Sequence, residues 1–237
     1  MSLLSLRDEI KHTANKTRAE HMMAYFQTGK GGYGAEDVFV GLTVPQSRTI
    51  AKKFSDLPLL QIEELMISKV HEERLIALFI LVQRFKKANP ELRKEIFDFY
   101  FHHTKYVNNW DLVDASAGYI VGGYLWGNKD VLKVLTKLAR SNDLWEKRIA
   151  IIATFEFIYH GEAETTLHIA EILLHDRHDL IHKAVGWMLR EVGKRVSQET
   201  EEDFLRTRYK TMPRTTLRYA IERFPEERRL AYLKGNI

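Results

Sequence analysis

NWDLVDASAGYI (109–120), LWEKRIAIIATF (144–155), LIHKAVGWMLRE (180–191) and TLRYAIERF (216–224) are four versions of one helix, set about 35 residues apart. Counting down from Arg218 in steps of 35 reaches Lys183, then Arg148, then Val113 beside Asp114. A fixed period of this size marks an array of helix pairs, none of which buries its apolar face alone. The expectation is an all-α chain, a helical-repeat superhelix or α-solenoid, forming one domain over residues 1–237.

Outward from these segments, apolar positions at 3.6-residue spacing predict helices near 4–14, 17–28, 45–54, 59–69, 72–87, 90–102, 109–125, 129–140, 144–159, 163–174, 179–195, 199–209, 214–223 and 225–233. The prolines agree: Pro45 sits at a helix start, and Pro58, Pro90, Pro213 and Pro225 fall where the pattern pauses. Short connections throughout give no sign of a domain boundary.

The glycine-rich stretch GKGGYGAEDVFVGLTV (29–44) breaks the pattern. Gly29, Gly31 and Gly34 spell G-x-G-x-x-G, but a dinucleotide fingerprint needs a strand before it and a helix after it. Here a helix precedes, and the alternation Val38, Val40, Leu42, Val44 favours extended chain. A small hairpin or loop insertion near residues 29–44 is expected, projecting from the N-terminal helices.

Composition sets the outer limits. A chain 45% hydrophobic and 29% charged is an ordinary folded protein. The lack of cysteine excludes disulfides, thiolate zinc sites, iron–sulfur ligation and a cysteine nucleophile. No apolar run approaches the roughly 20 residues of a membrane span. The start, MSLLSLRDEIKH, meets charge too early for a secretory signal, so the expectation is a cytoplasmic protein with no membrane partner. The net charge of +4 is uneven: residues 183–237 hold 13 Lys/Arg against 8 Asp/Glu, while 1–182 hold 23 against 24. Within the basic end, Lys183, Arg190 and Lys194 fall on one predicted helix. The run RTRYKTMPRTTLR then presents Arg206, Arg208, Lys210, Arg214 and Arg218 with no acid between them. Such a run suits tracking of phosphates and equally suits a solvated loop and helix start.

Four residues fall in register for chemistry. Trp110 and Asp114, at i and i+4, share one helix face. Arg148 on the next repeat is placed to reach that carboxylate, and Trp187, one repeat further, lies at the same level of the stack. The same spacing suits two core tryptophans and a structural ion pair. His178 and His182 have helical spacing but no third ligand, so no metal site is expected. Glu72/Glu73 and Glu201/Glu202 read as helix-end or surface charges.

NWDLVD, SNDLWEKRIAII and HKAVGWMLRE together resemble the DNA alkylation repair family of HEAT-like-repeat alkylpurine DNA glycosylases, over nearly the whole chain and most specifically over 106–195. The family pattern of Trp and Asp on one helix, Arg on the next repeat's and Trp on a third matches Trp110, Asp114, Arg148 and Trp187. The resemblance implies a superhelix whose concave basic surface cradles duplex DNA. It further implies excision of N3- and N7-alkylated purines without base extrusion and with no metal or organic cofactor; a monomer, associated with the nucleoid when bound to DNA, is expected. Two positions differ from the family's characterised glycosylase. Thr43 and Val44 precede Pro45 where that protein has a Gln shortly before the proline, and the insert 29–37 is longer. The second reading is therefore a non-catalytic binder of branched or distorted DNA, and a third is a protein-interaction scaffold.

Overall fold

The computed structural model describes residues 2–35 and 37–237. Among them the chain is helical, with one isolated parallel β-bridge, Val38 to Val70. No helix among these residues is long and apolar enough to cross a membrane. The backbone gathers into two compact units, Met1–Ser116 and Ala117–Ile237.

In the first unit, α1 (Leu3–Thr13) begins with a capping box between Ser2 and Ser5, and α2 (Lys16–Tyr25) is capped by Asn15. α3 (Val44–Lys53) opens with a second capping box, Thr43 with Gln46, and holds Pro45 in its first turn, where no N–H is needed. α3, α4 (Leu59–Met66) and α6 (Pro90–His102) all pack on α5 (His71–Lys87). Every residue of α5 from His71 to Val82 is buried, so this helix has no polar stripe and is itself the core of the unit. A 3₁₀ turn (Thr104–Tyr106) leads into α7 (Trp110–Ala117).

The insertion is a loop, and no hairpin forms among the described residues. Turns fill residues 26–35, after which 37–43 runs extended across the start of α5. The Val38 N–H donates to the Lys69 carbonyl (3.0 Å), and the His71 N–H donates to that of Val38 (2.8 Å). The alternation does not form one buried face: Leu42 is buried and Val40 half-buried, but Val38 and Val44 are exposed, and Phe39, which lies outside it, is buried. Gly41 has φ +84°, and a Cβ there would lie 2.1 Å from the Asn15 carbonyl oxygen, so the crossing of this arm over α2 requires glycine.

Glu72 and Glu73 depart from the surface reading, because the arm covers the N-terminus of α5. Glu72 is fully buried and accepts N–H bonds from Val40, Gly41 and Leu42, the Gly41 bond at 2.8 Å. Glu73 pairs with Arg7 at 3.1 Å.

In the second unit the helical run continues through a π segment (Gly118–Gly122) and α8 (Gly123–Leu125). There follow α9 (Val131–Ala139), α10 (Leu144–Ala153), α11 (Phe155–Tyr159), α12 (Glu164–Leu173), α13 (Asp179–Arg195), α14 (Gln198–Arg206), α15 (Arg214–Ala220) and α16 (Glu226–Lys234). α9 packs on α10 and α12 on α13, while the second helices stack in turn: the π segment on α10, α10 on α13, α13 on α15. That stacking is the structural counterpart of the 35-residue period. The helix expected over 144–159 is interrupted at Thr154, whose backbone N–H and hydroxyl both bond the Ile151 carbonyl. This local bonding displaces the regular ladder for one residue.

Gly186 sets how closely α13 and α15 approach: a Cβ there would lie 2.5 Å from both the Thr216 carbonyl oxygen and the Tyr219 Cβ. Because one of these atoms is backbone, relief requires helix movement. Gly186→Ala is therefore expected to lower stability by about 1–3 kcal/mol, as overpacking does elsewhere. An unchanged urea midpoint would show that α15 gives way freely.

Glu201 also departs from the surface reading. It is 2% exposed on α14, and one carboxyl oxygen has no hydrogen-bond partner. Burial, with a smaller push from Glu202 and an opposing pull from Arg190, raises its pKa to about 9. The folded protein thus keeps the proton through neutral pH, while the unfolded chain gives it up near the ordinary value of about 4.3. The proton's contribution to stability is complete below that value and is lost progressively as pH rises toward 9. Glu201→Gln, which cannot ionise, should gain on the wild type between pH 5 and 8 by up to about 1.4 kcal/mol per unit. Urea melts across that range check this, and a constant gap would show that Glu201 is already ionised.

Candidate functional site

Trp110 opens α7 half-buried, and its indole stacks on Phe26 at 5.3 Å and 10° between planes. Phe26 stacks on Phe39 (4.9 Å), and Phe39 on the His71 ring (4.4 Å), making a column of four rings running into the core. Tyr25, 68% exposed, meets Trp110 edge-on at 6.1 Å. One face of the indole is thereby committed to protein. Phe26 reaches this column as the C-cap of α2, and Phe39 reaches it from the extended arm. Asp114, one turn along α7, is half-buried. The buried Tyr100 phenol bonds the Ser116 hydroxyl of the same helix α7 at 3.1 Å. Burial, and to a lesser degree the Asp114 charge, raises the Tyr100 pKa, so the phenol stays protonated beside that carboxylate.

The start of α7 rests on a buried charge network that the sequence reading did not find. His71 places Nδ1 2.9 Å from Asp37 and Nε2 2.8 Å from Asp111. Asp37 also receives Arg74 (2.5 Å) and the Asn109 amide (3.1 Å). Burial opposes a charge on His71, but the Asp111 and Asp37 carboxylates outweigh it and push the pKa up to about 9. Asp37 is held below its usual range: burial works against this, and His71, Arg74 and Asn109 overcome it.

In the second unit Arg148, 5% exposed on α10, donates Nη1 to the Leu180 carbonyl (2.5 Å) in the first turn of α13. Trp187 lies half-buried two turns along α13, with Phe155 at 6.5 Å and tilted. Of the four residues singled out by register, Trp110 and Asp114 thus share one helix of the first unit. Arg148 and Trp187 occupy adjacent helices of the second. His178 caps α13, accepting the Leu180 N–H, and His182 bonds the Asp176 carbonyl at 2.6 Å. Among the described residues no group of three His, Asp or Glu is placed to hold a metal ion.

The basic residues of the C-terminal part find acids from outside their own run. Lys183 pairs with Asp179 (2.6 Å), Arg190 with Glu222, Lys194 with Glu191 (4.0 Å), Arg206 with Asp203 (3.2 Å) and Arg208 with Glu171 (2.5 Å). Arg214 bonds the Leu233 carbonyl (3.0 Å), Lys210 lies over the Tyr209 ring (5.6 Å), and Arg218 is exposed. The exposed pairs, Lys183 with Asp179 and Arg206 with Asp203, contribute roughly 0–1 kcal/mol each.

A family model described as DNA alkylation repair enzyme matches residues 6–224. Among solved structures the chain is similar to a predicted DNA alkylation repair enzyme from Enterococcus faecalis. The identity is 18% and the TM-score 0.72, over 90% of this chain and 98% of that one. At that identity the likeness establishes a shared fold. Comparison with curated proteins gives no match.

Proposed function

The chain belongs to the DNA alkylation repair enzyme family, and from that membership we propose that it is a monofunctional DNA glycosylase. It hydrolyses the N-glycosidic bond of N3- and N7-alkylated purines in duplex DNA, without extruding the base and without a cofactor. The observation that carries this reading is the register of Trp110, Asp114, Arg148 and Trp187 on successive repeats, supported by the ring column that fixes the Trp110 indole.

An N-alkylated purine is cationic and already a good leaving group. When the bond from C1′ to the purine breaks, its electron pair neutralises the base, and positive charge develops on the deoxyribose. Asp114 stabilises that charge and guides the attacking water, whose oxygen bonds C1′ as its proton is released. The faces of Trp110 and Trp187 stabilise the sugar cation and the cationic base, at about 0.5–2 kcal/mol each. Arg148 holds a neighbouring phosphate.

A duplex carrying one 7-methylguanine tests the proposal. The protein should leave an abasic site, read as strand scission in hot alkali. An intact strand, with tight binding to a four-way junction, would favour the non-catalytic branched-DNA reading instead.

Lys183, Arg190, Lys194, Arg206, Arg208, Lys210, Arg214 and Arg218 are the proposed phosphate contacts. Neutralising Arg206, Arg208, Lys210 and Arg214 together should weaken binding to any duplex and flatten the slope of log K against log salt by about 0.9 per lost contact. An unchanged slope would place these charges in solvent.

A further inference from the structure

Trp110 is flanked in sequence by two residues whose side chains both lead into the buried charge network. On one side, Asn109 accepts the Trp110 N–H (2.8 Å) and donates to Asp37 (3.1 Å). On the other, Asp111 accepts the Leu112 N–H (2.9 Å) with one carboxylate oxygen and meets His71 Nε2 (2.8 Å) with the other. His71 is the shared element. Its side chain is 1% exposed, and each ring nitrogen faces a carboxylate oxygen. Two acceptors on one imidazole require both nitrogens to donate, so the ring is an imidazolium. With Arg74 on Asp37 the network holds two positive and two negative groups and is internally neutral. Glu72, the next residue, turns its carboxylate away onto the Val40–Leu42 N–H groups. The same imidazole ends the column Phe39–Phe26–Trp110, so it contacts the indole's supports along a second route.

We propose that His71 is a positioning residue for Trp110: by bridging Asp37 of the arm to Asp111 of α7, and by closing the ring column, it fixes where the indole face is presented. The proposal rests on the reading of Trp110 as a wall of the excision site. An ion pair that merely held the fold together would not need to reach both neighbours of this one tryptophan.

Protein labelled with 5-fluorotryptophan tests it. The four tryptophans give separate ¹⁹F signals, and Trp110→Phe assigns the one of interest. In His71→Gln, the Trp110 signal should shift or broaden while those of Trp126, Trp145 and Trp187 stay in place. Single-turnover excision of 7-methylguanine should fall at least about tenfold, with duplex affinity by fluorescence anisotropy within twofold of wild type. An unmoved Trp110 signal, or a loss of excision no greater than the loss of affinity, overturns the proposal. If His71→Gln does not fold, Asp111→Asn keeps an acceptor for the Leu112 N–H while removing the carboxylate that faces His71 Nε2, and the same ¹⁹F reading decides. If the wild type excises nothing, the glycosylase reading fails on its own, and the ¹⁹F shift still decides whether His71 positions the indole.

Discussion

Asp114→Asn is expected to slow excision of 7-methylguanine about 10²- to 10³-fold, or about 2.7–4 kcal/mol, on the scale of losing one preorganised electrostatic group. Asparagine keeps the size and much of the hydrogen bonding of the half-buried Asp114 but removes the charge proposed to oppose the sugar cation. Duplex affinity should hold or rise slightly, because a repulsion between carboxylate and phosphate is gone. Single-turnover rates set beside anisotropy titrations separate the two effects. Excision at the wild-type rate would rule out the electrostatic role. Equal losses of rate and affinity would make Asp114 a binding residue.

Glu72→Ala is expected to lower stability by about 3–5 kcal/mol, the second large effect. The carboxylate is fully buried and holds three successive N–H groups of the arm, Val40, Gly41 and Leu42. A buried donor left unpaired costs about 1–3 kcal/mol, and water entering the space recovers part of the total. The arm also supplies Asp37 and Phe39, so its loosening should reach the Trp110 column. Urea unfolding checks the magnitude, and a loss below about 1 kcal/mol would mean that the arm holds by its apolar contacts alone.

The repeat and the helix limits were legible because they depend on local signals. Asn89 with Pro90 marks the start of α6, and the expected ends of 90–102 and 179–195 agree with the structure. Within each unit the spacing was legible too: Trp110 and Asp114 are one turn apart on α7, and Arg148 and Trp187 lie on the packed helices α10 and α13. What stayed hidden depends on residues far apart in sequence. Glu72 sits where acidic residues commonly face solvent at a helix start, and only the arm from 37–43 turns it into a buried acceptor. His71, Asp37 and Asp111 lie 34 and 40 positions apart; Asp111 stands inside NWDLVD, but nothing local in the sequence ties it to the other two. The adjacent pair Asn109 and Asp111 around Trp110 was the one available hint, and its meaning required the fold. The acid-free appearance of 206–218 was partly a property of the chain order: Glu171, 37 residues from Arg208, reaches it in three dimensions, while Asp203 stands one turn before Arg206 on α14.

Mass spectrometry of the bases released from methylated duplex DNA decides whether this protein excises alkylated purines. Free 7-methylguanine and 3-methyladenine are expected with the wild-type protein and about 10²- to 10³-fold slower release with Asp114→Asn, while the variant retains the duplex at least as well as the wild type. No free base from the wild type, with tight retention of junction DNA by both proteins, would contradict the glycosylase reading.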